Sequence, residues 1–146
     1  MDIITRFSNG QVITSDVVSD LVLTFGSDAK RNVFMNEPHL IKVLVAVVAA
    51  GGAEGITIEM RADTAAGLAT APIVIGSSGL ILPAQLEVVG KMHEFRIRPI
   101  ALPVGYDFMG IYYNVHTNVF TTGFALTTWL ADEGSEAGLR GDPMTL

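Results

Sequence analysis

Residues 40–50 read Leu-Ile-Lys-Val-Leu-Val-Ala-Val-Val-Ala-Ala, an apolar run in which Lys42 is the only charged residue. A strand with one wet face alternates apolar and polar residues, whereas this run is apolar at both positions of the alternation. Its β-branched residues favour a strand over the competing helix, and Gly51-Gly52 ends the pattern. We therefore expect a strand that is buried on both faces and around which the other strands pack.

The sequence after this central strand alternates cleanly. The apolar positions are Ile56, Ile58 and Met60, and the polar positions are Thr57, Glu59 and Arg61. This period of two predicts an antiparallel strand with one buried face. We expect the Gly51-Gly52 turn to join it to the central strand as a hairpin.

Short apolar stretches separated by Gly and Pro fill the rest of the chain. Turns are predicted at Ser8-Asn9-Gly10 and at residues 77–79, the second separating two short strands. A later strand directs Ile111, Tyr113 and Val115 inward, and the last strand places its apolar residues on one face. Residues 83–91 fit a helical turn or a loop, and no convincing amphipathic helix is present.

These elements amount to about eight or nine strands. The fold class predicted is all-β, a two-sheet antiparallel jelly-roll sandwich of about eight strands. Residues 1–131 form this domain, with a short N-terminal arm, and residues 132–146 form a flexible C-terminal tail of small and acidic residues. No internal repeat is visible, which argues against propellers and solenoids.

The composition indicates one folded domain with an interaction surface. Hydrophobic residues make up 49% of the 146 residues and charged residues 16%, so the bulk of the chain is not disordered. The mean hydropathy of +0.44 is high for a small domain. A partner that covers part of the surface explains this value, and the many Ala and Gly residues account for part of it.

Charge and cysteine content exclude several classes of function. The net charge is −6 and the nine basic residues are scattered, so no nucleic-acid partner is expected. Without cysteine there is no disulfide, thiolate nucleophile or sulfur-ligated metal. The first residues do not resemble a signal peptide, and the longest apolar run is too short for a bilayer, so no membrane partner is expected.

The residue types that carry catalysis are sparse. His39, His93 and His116 lie in separate strand regions without a partner at i+2 or i+4, and surface or capping roles are expected rather than a three-histidine metal site. No nucleophile elbow or phosphate-binding glycine motif is present. Glu59 and Glu94 are expected to form solvated ion pairs with neighbouring arginines. We expect no enzyme activity, no cofactor and no metal.

Two features suggest exposed binding residues. Tyr112 and Trp129 fall on strand faces opposite to Tyr113 and Leu130, where they are either binding anchors or residues of a partly buried second face. As anchors they would suit a carbohydrate-binding jelly-roll module of an appendage or host-recognition protein. Arg140-Gly141-Asp142 spells an adhesion tripeptide, but its place in the predicted tail favours a chance occurrence.

Several short motifs resemble the capsid cement, or decoration, proteins of tailed bacteriophages, a family typified by the cementing protein of a Bordetella phage. The resemblance begins with Phe-Ser-Asn-Gly-Gln-Val-Ile-Thr at residues 7–14 and continues through Glu37-Pro38 before the valine-rich strand. It returns at Leu-Pro-Val-Gly (residues 102–105) and at Val-Phe-Thr-Thr-Gly (residues 119–123). The chain extends beyond Leu130 relative to the family pattern, so the resemblance does not cover the tail.

This resemblance implies a structural virion protein on the outer surface of an icosahedral head, made in the host cytoplasm. Such a protein bridges neighbouring subunits of the major capsid protein, its partner, and stabilises the shell against the pressure of packaged DNA. It also often assembles with itself as a homo-oligomer, a dimer or trimer. The candidate capsid or oligomer contacts are Ile3, Ile4, Phe7, Tyr112, Trp129, Leu139, Met144 and Leu146.

Overall fold

The structure is a computed structural model that describes residues 5–24, 31–33, 39–48, 53–117, 119–120 and 124–132. A 3-10 turn spans Pro83–Leu86. Within the described ranges, no helix is both long and apolar enough to cross a membrane. The strands are β1 Arg6–Ile13, β2 Val17–Thr24, β3 Arg31–Val33, β4 His39–Val47, β5 Gly55–Asp63, β6 Ile73–Ile81, β7 Met92–Ile97, β8 Ile100–Leu102, β9 Phe108–His116 and β10 Phe124–Asp132.

Two four-stranded antiparallel sheets pack face to face. The first sheet has the order β1-β10-β4-β7, and the second has the order β2-β9-β5-β6. A separate ladder joins β3 to β8. Two sheets of this strand order form a jelly roll, so the predicted all-β sandwich is confirmed. The last strand ends at Asp132, one residue beyond the predicted domain boundary.

The strand pairs are nested about the middle of the chain. β5 pairs with β6, β4 with β7, β3 with β8, β2 with β9 and β1 with β10. The chain is therefore one long folded hairpin whose midpoint is the loop 64–72, and the pairs β4–β10 and β5–β9 complete the two sheets. As a result, the connections after β1, β4, β6 and β9 all leave from one end of the sandwich.

The alternating residues meet between the sheets as predicted. Ile56, Ile58 and Met60 of β5 are fully buried, whereas Thr57 and its polar neighbours lie on the outer face. Ile111 and Tyr113 of β9 are likewise inside, as are Phe124 and Leu126 of β10 in the other sheet. Because each buried aliphatic or aromatic side chain contributes about 1.5–3 kcal/mol, this inner layer holds the two sheets together.

Strand β4 lies inside its sheet, between β10 and β7. Its first half is buried on both faces, as predicted, since Ile41 and Val43 are 0% exposed and Lys42 is 3% exposed. On the outer face, Lys42 forms an ion pair with Glu94 of β7, and Trp129 of β10 lies opposite Lys42 on its other side. The burial ends at Val47, which is half exposed.

Two predicted turns are β-bulges inside longer strands. Ser8-Asn9-Gly10 lies within β1, where Gly10 has φ +64° and its amide donates to Thr127 Oγ1 at 2.9 Å. Ser77-Ser78-Gly79 lies within β6, and Ser78 Oγ accepts the amide of Ile58 at 3.0 Å. A glycine in the left-handed region suits both a turn and a bulge, and only the pairing with the partner strand distinguishes them.

The predicted hairpin between the central strand and β5 is wrong. Both hydrogen-bonding edges of β4 are occupied, by β10 and β7, so the chain crosses to the other sheet before β5 begins. The predicted turn residues Gly51-Gly52 lie outside the described residues. A connection of this length serves a hairpin or a sheet crossing equally well, and the nested pairing decides between them.

The edges of the two sheets are linked by hydrogen bonds on both sides of the sandwich. Between β1 and β2, Gln11 donates from Nε2 to the carbonyl of Val18 and accepts the amide of Asp20 at its Oε1. Between β6 and β7, the amide of Arg98 donates to the carbonyl of Ile75. A Cβ added at Gly76 would lie 2.6 Å from the carbonyl oxygen of Arg96. The sandwich is therefore closed on both sides.

Candidate functional site

Exposed apolar side chains concentrate at the end of the sandwich from which the connections after β1, β4, β6 and β9 leave. Eleven large hydrophobic residues of the described chain are exposed, and Leu21 and Val104 are the two that lie elsewhere. The nine at this end, which we call the apolar end, are Val12, Val47, Val48, Leu80, Leu82, Val88, Val89, Met92 and Val119. Scattered exposed apolar residues need no explanation, but a grouping of this kind marks an interaction surface.

The hydrogen-bond ladders place these residues beside one another. Val12 of β1 and Val47 of β4 are both register partners of Ala125 in β10, so the three lie in one cross-strand row. The segment that holds Val88 and Val89 is fastened to β4, because the amide of Gly90 donates to the carbonyl of Val45 at 2.8 Å. The apolar end is thus continuous across the first sheet.

Buried neighbours fix the loops that present the exposed residues. Leu86 is 0% exposed and anchors the 3-10 turn that precedes Val88 and Val89. Phe120 is 2% exposed and packs edge-to-face on Phe124, with ring centroids 4.6 Å apart, while the adjacent Val119 is 56% exposed. Because a buried side chain holds each of these two loops in place, their exposed valines are presented on an ordered backbone. This order lowers the entropy lost on binding.

The histidines do not gather into one place. His39 begins β4 at the end opposite the apolar end, whereas His93 and His116 lie in different sheets. A ring nitrogen of His93 lies 3.2 Å from the carbonyl oxygen of Gln85, and His116 Nε2 lies 2.6 Å from Thr57 Oγ1. In the part of the chain described, no three His, Cys, Asp or Glu residues are placed to hold a metal ion.

Tyr112 and Trp129 lie on opposite outer faces of the sandwich, since β9 and β10 belong to different sheets. Both are partly buried. The guanidinium carbon of Arg61 lies 3.9 Å from the centroid of the Tyr112 ring, and Arg61 also pairs with Glu59 at 2.8 Å. This arrangement fixes Tyr112 by a cation–π contact, and the two aromatic residues do not form one stacking platform.

The ion pairs differ in part from those predicted. Glu59 pairs with Arg61, but along one strand rather than across two. The partner of Glu94 is Lys42 of β4, which the register places directly opposite. Sequence reasoning could not anticipate this pair, because Lys42 and Glu94 are 52 residues apart.

The other predicted contact residues fall into two groups. Phe7 lies in the core with 1% of its surface exposed, so its side chain offers no contact surface, contrary to the prediction. Those outside the described residues are Ile3, Ile4, Leu139, Met144 and Leu146, together with the Arg140-Gly141-Asp142 tripeptide.

Sequence reasoning missed the apolar end. The apolar run at residues 40–50 predicts a strand that is buried along its whole length, and Val47 and Val48 belong to this run. Val88, Val89 and Val119 lie in loops, and valine in a loop is the signal that could have found them, since loops are ordinarily polar and solvated.

Among the described residues, two groups have displaced pKa values, and both have structural roles. Burial alone would raise the pKa of Asp63, but hydrogen bonds from the amides of Ala71, Thr70 and Thr64 outweigh it, so the pKa lies below its usual range. Burial raises the pKa of Tyr113 to about 12, although hydrogen bonds to Ser8 and Thr128 oppose the rise. Neither group lies at the apolar end.

Comparison with known proteins identifies one family. The sequence model of the Bbp16 family, a family of a Bordetella phage protein, matches residues 7–127. No curated protein matches the chain. The matched residues run from β1 into the first half of β10.

Proposed function

The chain belongs to the Bbp16 family of Bordetella phage proteins, and from this premise we propose that it is a structural protein of the virion that cements the head. In this role it binds the outer surface of the icosahedral shell and bridges neighbouring subunits of the major capsid protein. It is made in the host cytoplasm and remains on the outside of the assembled particle, where it stabilises the shell against the pressure of packaged DNA.

The observation that carries this proposal is the apolar end. Nine exposed apolar side chains share one end of a sandwich whose two sides are closed by hydrogen bonds between the sheets. A closed sandwich is stiff, and a stiff body that carries one apolar surface suits a clamp between other proteins. Because the chain belongs to a phage protein family, the capsid shell is the partner that we propose for this surface.

The physics of a repeated shell favours such a protein. Each head presents many copies of the same site, so a body that touches two subunits at once gains affinity from its second contact. Stabilisation requires that the protein bind the assembled lattice more tightly than the free subunits, because only differential affinity shifts an equilibrium. A homo-oligomer, dimer or trimer, would increase the number of simultaneous contacts.

The chain termini extend this proposal. The N-terminal arm (residues 2–7) and the tail with Leu139, Met144 and Leu146 reach onto neighbouring subunits, whereas Phe7 anchors the arm in the core. Separate deletions of residues 2–4 and 133–146 test this, with occupancy on heads as the measurement. Unchanged occupancy for both deletions would remove the termini from the proposal.

The experiment that tests the function compares virions with and without this protein. We expect particles that lack it to release DNA at lower temperature and after milder osmotic shock, and we expect added purified protein to restore resistance. Equal resistance of both particles contradicts cementing. A glycan array run on the same preparation provides the other outcome, because specific sugar binding without binding to heads would favour a carbohydrate-binding module.

A further inference from the structure

Three of the four connections at the apolar end carry an exposed carboxylate. These are Asp16, Glu54 and Glu87, and Lys91 is the one Lys or Arg at this end among the described residues. Two of the carboxylates are held in place, since Asp16 Oδ1 accepts the amide of Val115 at 2.8 Å and Glu54 Oε2 accepts the hydroxyl of Thr117 at 2.7 Å. The apolar end therefore has a negative rim.

The opposite end has less exposed apolar surface and carries exposed arginines. Exposed Arg6 begins β1 there, and exposed Arg98 follows β7. Val104 is the one large exposed apolar residue in the described loops of that end. The two ends of the sandwich thus differ in apolar surface, and the opposite end carries charges of both signs, because Asp107 and the buried Asp63 lie there as well.

We propose that the apolar end is the surface that docks on the head, and that it binds a shell surface where apolar side chains are surrounded by Lys and Arg. This inference rests on the proposed function. It adds which end of the sandwich contacts the shell and which residue types line the shell surface that binds it. Apolar contact supplies affinity at the centre of such an interface, and the complementary rim selects the partner and its orientation.

The charge of the rim favours the shell over a second copy as the occupant. A symmetric contact between two apolar ends would bring Asp16, Glu54 and Glu87 of one copy towards the same residues of the other. Like charges brought together across an interface are unfavourable. A contact between the apolar end of one copy and the opposite end of the next would repeat without closing, and the opposite end offers little apolar surface.

The test uses purified full-length protein and heads assembled without it, with occupancy measured by co-sedimentation. Val89 and Val104 form a matched pair, because they are the same residue type, are 62% and 59% exposed, and lie at opposite ends. We expect Val89→Asp to weaken binding roughly tenfold or more and Val104→Asp to change it less than about twofold. Thermal melts of both variants establish that each is folded.

A second pair tests the rim. We expect Glu87→Lys to weaken binding several-fold at low salt and the difference to shrink as NaCl screens it, whereas Asp107→Lys, at the other end, leaves binding unchanged. Unchanged or tighter binding by Glu87→Lys overturns the basic partner surface.

The outcomes separate this inference from the function on which it rests. If the wild-type protein fails to sediment with heads, the proposed function is wrong. If the wild-type protein binds and Val89→Asp binds equally well, the docking surface is wrong and the function stands. If Val89→Asp changes the sedimentation coefficient of the protein alone and Val104→Asp does not, the apolar end covers a second copy and the inference is overturned.

Discussion

The hydroxyl of Tyr113, in the middle of the second sheet, donates a hydrogen bond to Ser8 Oγ of the first sheet at 2.8 Å. Thr128 Oγ1 lies 2.8 Å from the same tyrosine oxygen and donates to it, because the tyrosine proton is directed at Ser8. Ser8 in turn donates to Gln11 Oε1. This chain of hydroxyl groups crosses the apolar core and specifies how the two sheets register on one another.

Removal of this hydroxyl should destabilise the fold. We expect Tyr113→Phe to lower the free energy of unfolding by about 1–3 kcal/mol, because Ser8 and Thr128 lose a partner in a water-free interior. Urea unfolding followed by Trp129 fluorescence measures the change. Tyr112→Phe, on the outer face of the same strand, is the control and should change stability by less than about 0.5 kcal/mol. Equal effects of the two substitutions would contradict a structural role for the core network.

Tyr113 should also make the protein sensitive to alkali. Its pKa is about 12 in the folded protein, above the ordinary value of 10.0, so the unfolded chain loses this proton first as pH rises. The stability that the neutral form of Tyr113 contributes is therefore fully present below about pH 10. It is lost as the pH approaches about 12, and the loss is on the order of 3 kcal/mol. Unfolding free energies at about pH 9 and pH 11 should differ less in Tyr113→Phe than in the wild type, and an identical difference would refute the assignment.

The loop at the chain midpoint depends on Asp63. Its carboxylate, 0% exposed, accepts the amides of Thr64, Thr70 and Ala71 at 2.5–3.0 Å. We expect Asp63→Ala to destabilise the protein by about 2–3 kcal/mol, because these donors lose a charged acceptor. Asp107→Ala, in another loop at the same end, is the control, and urea midpoints measure both.

Asp63 also predicts the direction of acid sensitivity. Since the pKa of Asp63 is lowered in the folded state, its contribution is present above the ordinary value of 3.8 and is lost as pH falls through the lowered value. Stability should therefore fall less steeply with acid in Asp63→Asn than in the wild type when melting temperatures are compared at about pH 5 and pH 3. Parallel curves would show that other carboxylates cause the acid sensitivity.

The side of the sandwich where β6 meets β7 depends on Gly76. A methyl group there would lie 2.6 Å from the carbonyl oxygen of Arg96 and 2.8 Å from Ile97 Cγ2, so β6 and β7 would have to separate. We expect Gly76→Ala to cost about 1–3 kcal/mol. Gly67→Ala is the matched control, because a methyl group at Gly67 meets no atom within 4 Å, and it should be neutral or slightly stabilising. Thermal melts distinguish the two, and equal melting temperatures would contradict the close approach.

The amino-acid pattern alone predicts the fold class and many of the residues that face inward. Alternation predicts the inner faces of β5 and β9, because a period of two cannot place Ile58 inside without placing Thr57 and Glu59 outside. The uninterrupted run at residues 40–50 likewise predicts a strand inside a covered sheet. The family resemblance was also visible in short motifs from residue 7 to residue 123.

Strand pairing and the position of the exposed apolar surface depend instead on contacts between distant parts of the chain. Whether Gly10 is a turn or a bulge depends on β10, more than 100 residues away, and the pairing of Lys42 with Glu94 depends on the order of β4 and β7. The apolar end has the same origin. Its residues come from several short segments that are far apart in the sequence, and nested pairing brings the four connections to one end. The local sequence pattern determines whether a side chain faces the core or the solvent. The residues that surround it depend on contacts between strands that are far apart in the sequence.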